Sequence, residues 1–89
     1  MLKVTYKKTF EKDINRIKNS GKDLEKLKVV AKCLANQEPL DKKYFDHPLK
    51  GNYKDRRECH IEPDWLLIYK IDDNRIIFER TGSHSQLFK

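Results

Sequence analysis

Five residues stand out as a set that could move protons and meet developing negative charge: His47, His60, Asp64, Arg80 and His84. Imidazole is the side chain whose charge changes near neutral pH, and it serves most often in general acid–base work. These three histidines are all the chain has. A single histidine is ordinarily a surface group or a satisfied buried one. Three converging on one sheet edge with a carboxylate and a guanidinium form a set. No His pair falls at i, i+4, and no Cys or Glu stands at a standard ligand spacing, so neither a metal nor another cofactor is expected. A serine elbow, a glycine-rich phosphate loop and a carboxylate cluster for magnesium are equally missing from the sequence.

Imidazoles, a carboxylate and an arginine suit metal-free cleavage of RNA. One group takes the proton of the 2′-hydroxyl, and another protonates the leaving 5′-oxygen. Arg80 offsets charge on the phosphorane-like transition state with paired hydrogen bonds. DNA, which lacks that hydroxyl, is no substrate for this reaction. Trp65 and Phe88 offer flat faces on which a base can stack. For Trp65, core packing is an equal alternative, because the indole is often only partly buried. Arg57 adds charge near the site, but it shares the face of Cys59 and Ile61, which gives it a partly structural part.

These residues need a sheet to position them. Residues 57–62 alternate: Cys59 and Ile61 point one way, and Glu58, His60 and Glu62 the other, as in a half-buried strand. Glu62-Pro63-Asp64 is a tight turn that brings His60 and Asp64 together. Residues 65–71 are nearly all apolar and β-rich, which suits a central strand. Asp72-Asp73-Asn74 makes the next turn, and a third strand covers 75–79. Residues 2–6 alternate as a first strand. Phe10, Ile14 and Ile17 then mark a helix with Thr9 as its expected cap, closed at Asn19-Ser20-Gly21. A second helix covers roughly 22–36. Residues 37–53, punctuated by Pro39, Pro48 and Gly51, read as a loop. The order is β-α-α-β-β-β, an α+β fold with an antiparallel-rich sheet and a two-helix hairpin on one face. The first strand joins the sheet at its edge or between strands. The other face carries His60, Asp64, Arg80 and the tail.

The 89 residues fit one domain spanning 1–89. The sequence has no long apolar run for a membrane span and no signal-peptide pattern, so a cytoplasmic protein is expected. Cys33 and Cys59 are too few for a disulfide scaffold and read as buried thiols. Net charge is +6, and the first 30 residues hold nine Lys/Arg against four Asp/Glu. A basic face of this kind attracts polyanions, nucleic acid above all. Lys22 and Lys26, outside the apolar stripe of the second helix, are the expected nucleic-acid contacts. A sequence-reading DNA binder is disfavoured, because no helix-turn-helix with a distinct recognition helix stands out.

Three blocks carry a family resemblance. They are Asp46-His47-Pro48-Leu49-Lys50-Gly51, then Arg57-Glu58-Cys59-His60-Ile61-Glu62-Pro63-Asp64-Trp65-Leu66-Leu67-Ile68-Tyr69, then Arg80-Thr81-Gly82-Ser83-His84-Ser85-Gln86-Leu87-Phe88. In this order the chain resembles the YafQ branch of the RelE/ParE toxin superfamily. The resemblance implies a RelE-like fold and an mRNA interferase, the toxin of a type II toxin–antitoxin pair. It implies cleavage of mRNA in the ribosomal A site and neutralisation by a cognate antitoxin. The family's functional positions map onto His47, His60, Asp64, Trp65, Arg80, His84 and Phe88. A free monomer and a larger assembly with antitoxin are expected. Two alternatives stay open: a ribosome-independent ribonuclease, and a ParE-like toxin that binds another target without cleaving RNA.

Overall fold

The computed structural model describes residues 1–88. The elements are β1 (Lys3–Tyr6), α1 (Lys8–Lys18), α2 (Leu24–Ala35), β2 (His47–Pro48), β3 (Arg57–Glu62), β4 (Trp65–Asp72), β5 (Arg75–Gly82) and α3 (His84–Leu87). The expected order holds, with two additions. The stretch read as a loop contains β2 between two short 3₁₀ turns, and the tail forms α3. The sheet runs β1-β5-β4-β3-β2. Its first strand lies parallel to β5 at the edge, and the other neighbours are antiparallel.

Strand β4 is central because residues 65–69 have apolar partners on both sides. Cys59, Ile61, Trp65, Leu67, Tyr69, Ile76 and Phe78 face the helices and pack with Phe10, Ile17, Leu27, Val30 and Leu34. Leu66 and Ile68 face the other way, beneath Leu87, with Leu49 and Tyr53 at their margin. The period of two along the strand therefore serves two separate cores. The smaller one is roofed by the tail, and this is how α3 comes to lie over the sheet.

The helix α1 starts one residue before the expected Thr9 cap, with Lys7 in the capping position and no side-chain cap. Thr9 has another use. Strand β1 covers β5 only from Arg75 to Phe78. Beyond that, α1 completes the edge. The Thr9 hydroxyl donates to the Glu79 carbonyl (2.8 Å), Asp13 accepts from the Thr81 amide (3.1 Å), and Arg16 donates to the Thr81 carbonyl (3.2 Å). Buried edge groups need such partners. Arg16 and a side chain of α3, Gln86, both come close to Gly82; a Cβ there would stand 2.7 Å from Gln86 and 2.9 Å from Arg16. The second helix is capped by Asp23, which accepts from the Glu25 amide.

Candidate active site

Strand register places the chemistry on the face away from α1 and α2. His47 lies opposite Glu58, Glu58 opposite Ile68, and Ile68 opposite Arg80. One step along, His60 lies opposite Leu66, and Leu66 opposite Gly82. Cross-strand neighbours share a face, so His47, Glu58, His60 and Arg80 point together.

His84 reaches this face from the first position of α3. Ser83 caps that helix by accepting from the Gln86 amide, while the Gln86 side chain accepts from the Ser83 amide. Asp64, in the β3–β4 turn, accepts from both the His84 backbone N–H (2.9 Å) and its Nδ1 (2.7 Å). These two bonds, the backbone one foremost, hold the Asp64 carboxyl below its usual range. With Nδ1 engaged, Nε2 is the ring atom left to exchange a proton. The His84 ring lies 5.6 Å from that of His60, and His60 lies 6.3 Å from His47.

Glu58 ties the other two imidazoles together. Its Oε2 lies 2.8 Å from His47 Nε2 and 3.5 Å from His60 Nε2. Its Oε1 is buried without a hydrogen-bond partner among the described residues. His47, Glu58 and His60 each offer a ligand atom, all within 4.8 Å of one another. Spacing along the chain does not reveal this set, because β2 supplies one member and β3 the other two.

Arg80 is held by Asp13, which is 2% exposed on α1. Arg80 donates from Nε (2.7 Å) and Nη2 (3.2 Å), and Arg16 donates to the same carboxylate at 3.0 Å. The Asp13 bonds raise the Arg80 pKa further, so the cation is permanent. The Tyr53 phenol adds a smaller effect in the same direction. The Tyr53 ring meets that of Phe88 edge-on, 5.4 Å between centroids. Phe88 keeps 40% of its surface open and can present its ring to a base.

Trp65 and Arg57 face the helices, as the partly structural reading of Arg57 expects, and Lys22 and Lys26 lie at the β3–β4 turn. Trp65 is 0% exposed, and its indole N–H donates to the Thr81 hydroxyl at 3.0 Å. Packing wins over stacking because Trp65 falls on the helix-facing side of β4. Arg57 points to that side as well; its Nε binds Asp46, which also accepts from the Tyr69 hydroxyl at 2.7 Å. The guanidinium thus anchors the segment leading into β2. Lys22 and Lys26 do not form a bare basic helix face. The Lys26 ammonium pairs with Glu62 at 2.8 Å, and that of Lys22 lies 5.4 Å from the centre of the Trp65 ring. Both cluster at the β3–β4 turn.

Sequence reasoning missed Glu58, Asp13, Tyr53 and Phe45. Glu58 alternates in step with His60, and Asp13 interrupts the apolar stripe of Phe10, Ile14 and Ile17; both signals were readable. Phe45 is 64% exposed, and its ring lies 5.0 Å from His47 and 5.5 Å from His60. Nothing in the pattern of the chain distinguishes it.

The family of bacterial toxins of type II toxin–antitoxin systems, YafQ, matches residues 2–89. The mRNA interferase toxin YafQ of Escherichia coli strain K12 is 44% identical over 86 residues, covering 96% of this chain and 94% of the relative. The fold superposes on the E. coli DinJ–YafQ complex with a TM-score of 0.92, at 42% identity and full coverage of both chains. A metal-bound toxin from Helicobacter pylori gives 0.93 at 48% identity, with 99% and 100% of the two chains covered. The sheet with its helical hairpin is thus the RelE-like fold, and the chain belongs to the YafQ family of bacterial type II toxins.

Proposed function

We propose that this protein is an mRNA interferase, an endoribonuclease that cuts mRNA in the ribosomal A site by attack of the 2′-hydroxyl on the adjacent phosphate. The observation that carries the reading is the His84–Asp64 pair facing His60 on the open side of the sheet. Asp64 fixes the His84 ring, and Nε2 exchanges the proton. His60 and His47, steadied by Glu58, orient the phosphate oxygens or share the proton transfer. Arg80, fixed by Asp13, meets the charge that builds on those oxygens. The bond from the 2′-oxygen to phosphorus forms, and the bond to the 5′-oxygen breaks. The leaving oxygen takes a proton, and the other product ends in a cyclic phosphate. A cognate antitoxin that blocks this chemistry is part of the proposal, as DinJ assembles with E. coli YafQ.

The test is induced expression of wild type beside His84→Ala, with primer extension on a reporter mRNA. Growth arrest with cuts in translated regions, both lost in the variant, is the expected result. Arrest without mRNA cleavage would overturn the proposal in favour of a non-nucleolytic toxin. Cleavage of naked RNA at the same rate would remove the ribosome from it.

A second reading rests on the close approach of His47, Glu58 and His60, whose ligand atoms lie within 4.8 Å of one another. Two imidazoles and a carboxylate suit a transition-metal ion such as Cu²⁺ or Zn²⁺. His47, Glu58 and His60 would hold it, as Lewis acid or inhibitor. Cu²⁺ binding that Glu58→Gln abolishes, followed by calorimetry, supports this second reading; equal affinity in that variant removes it.

A further inference from the structure

The exposed ring of Phe45 sits where packing does not require it. Its backbone is left-handed (φ 46°, ψ 54°) at the end of the 3₁₀ turn Lys42–Tyr44. That conformation is uncommon for a bulky side chain and marks strain that the surroundings must hold in place. The surroundings do hold it. The Phe45 amide donates to the Lys42 carbonyl, and Asp41 caps the turn. Asp46 is pinned by Tyr69 and Arg57, and His47 is locked into β2 by its pairing with Glu58. The result is an aromatic ring leaning on His47 and edge-on to His60, with most of its surface uncovered. Beside His60 opens a cavity of about 480 Å³, lined also by Lys26, Lys43 and Tyr44, with the Lys43 ammonium 5.1 Å from the centre of the Tyr44 ring.

We propose that Phe45 is the stacking platform for a nucleotide base flanking the scissile phosphate, and that the cavity beside His60 takes the backbone of that nucleotide. The inference rests on the RNA-cleavage reading above. Every base has a π-face, and an uncovered ring beside the imidazoles is what stacking needs. The Lys43 ammonium at the cavity suits a phosphate, while Lys26 is held by Glu62, which lines the cavity too. Phe88 lies against Tyr53, whereas Phe45 lies against His47 and His60, so the two open aromatic rings are attached to different parts of the site.

The test compares Phe45→Trp, Phe45→Leu and Phe45→Asn with wild type and with His84→Ala on ribosome-bound mRNA in a purified translation system. Leucine has similar bulk and would shield the histidines equally well, but it has no π-face. It should raise KM on the order of tenfold with kcat little changed. Tryptophan should keep KM near wild type. Asparagine accepts the left-handed backbone more easily, so it should match or exceed wild type in thermal midpoint while losing affinity as leucine does. A leucine variant that cleaves like wild type overturns the proposal. So does a leucine variant that keeps its KM but no longer binds purified antitoxin, since Phe45 would then be a protein contact. If wild type cuts no RNA at all, the nuclease reading fails, and this inference falls with it.

Discussion

Asp13 on α1 and Arg80 on β5 are joined by two hydrogen bonds, at 2.7 and 3.2 Å, across 67 positions of sequence. The same carboxylate accepts from the Thr81 amide and from Arg16. A helix outside the site therefore fixes the cation inside it. Asp13→Asn keeps the shape but removes the charge. Breaking one side of a largely buried pair costs about 3 kcal/mol. The variant should melt earlier in denaturant, and the fraction still folded should lose more than tenfold in kcat with little change in KM. A folded variant with normal kcat would show that Arg80 needs no such support.

Asp64 acts through His84. Asp64→Asn should lower kcat at least tenfold and leave KM close to wild type, because the amide can still accept the backbone bond but no longer balances an imidazolium. The pH profile adds a check. The Asp64 pKa is depressed below its ordinary 3.8 by the His84 bonds. Its contribution to stability is present above that ordinary value and is lost as pH falls through the lower folded-state value. Asp64 accordingly stays ionised at neutral pH. Wild type should therefore lose stability toward denaturant as pH falls below 3.8, and a folded Asp64→Asn variant should not show that loss.

Trp65 and Phe88 should separate stability from binding. Trp65→Phe loses the indole bond to Thr81 and some packing, a cost of about 1–3 kcal/mol, with normal cleavage per folded molecule. Phe88→Ala should do the reverse: an unchanged melting midpoint and a raised KM. Normal stability in the tryptophan variant together with a raised KM would return Trp65 to the substrate.

Cys59 supplies an alkaline signature. Burial, with smaller effects from Asp46 and Glu58, pushes its thiol from 9.0 up to about 12. Stability from keeping it neutral is complete below pH 9.0 and is lost as pH rises toward 12. The denaturation midpoint should fall across that window, and less steeply in Cys59→Ala. Iodoacetamide should leave Cys59 unmodified in the native protein at neutral pH; rapid native alkylation would contradict the burial.

The meander was legible because its residues alternate or run apolar in the right lengths, and the Pro63-Asp64 and Asp73-Asn74 turns bound them. The site set was legible because histidines, unlike leucines, are few. Residues 47–48 did not read as a strand, since two residues carry no periodicity and their partner is known only from the fold. Tail residues 84–87 are too short for a helical pattern, and only Ser83 with Gln86 hints at a cap. The Trp65 ambiguity arose because an indole satisfies both a core and a stacking surface; only the facing of β4 decides. The partners of Lys26 and Arg80, Glu62 and Asp13, are tertiary contacts that no local pattern encodes.

Where β1 stops, α1 finishes the edge of β5 with Thr9, Asp13 and Arg16. This makes α1 less interchangeable than its amphipathic pattern implies. In a chimera, a foreign helix matched only at Phe10, Ile14 and Ile17 would restore the core and still yield a harmless protein. A scan for loss of toxicity would find apolar positions of α1 that accept other apolar residues, and beside them an acidic one that accepts nothing. Among relatives, residues at 13, 16, 80 and 86 should change in concert, as a single inherited unit spread over both ends of the chain.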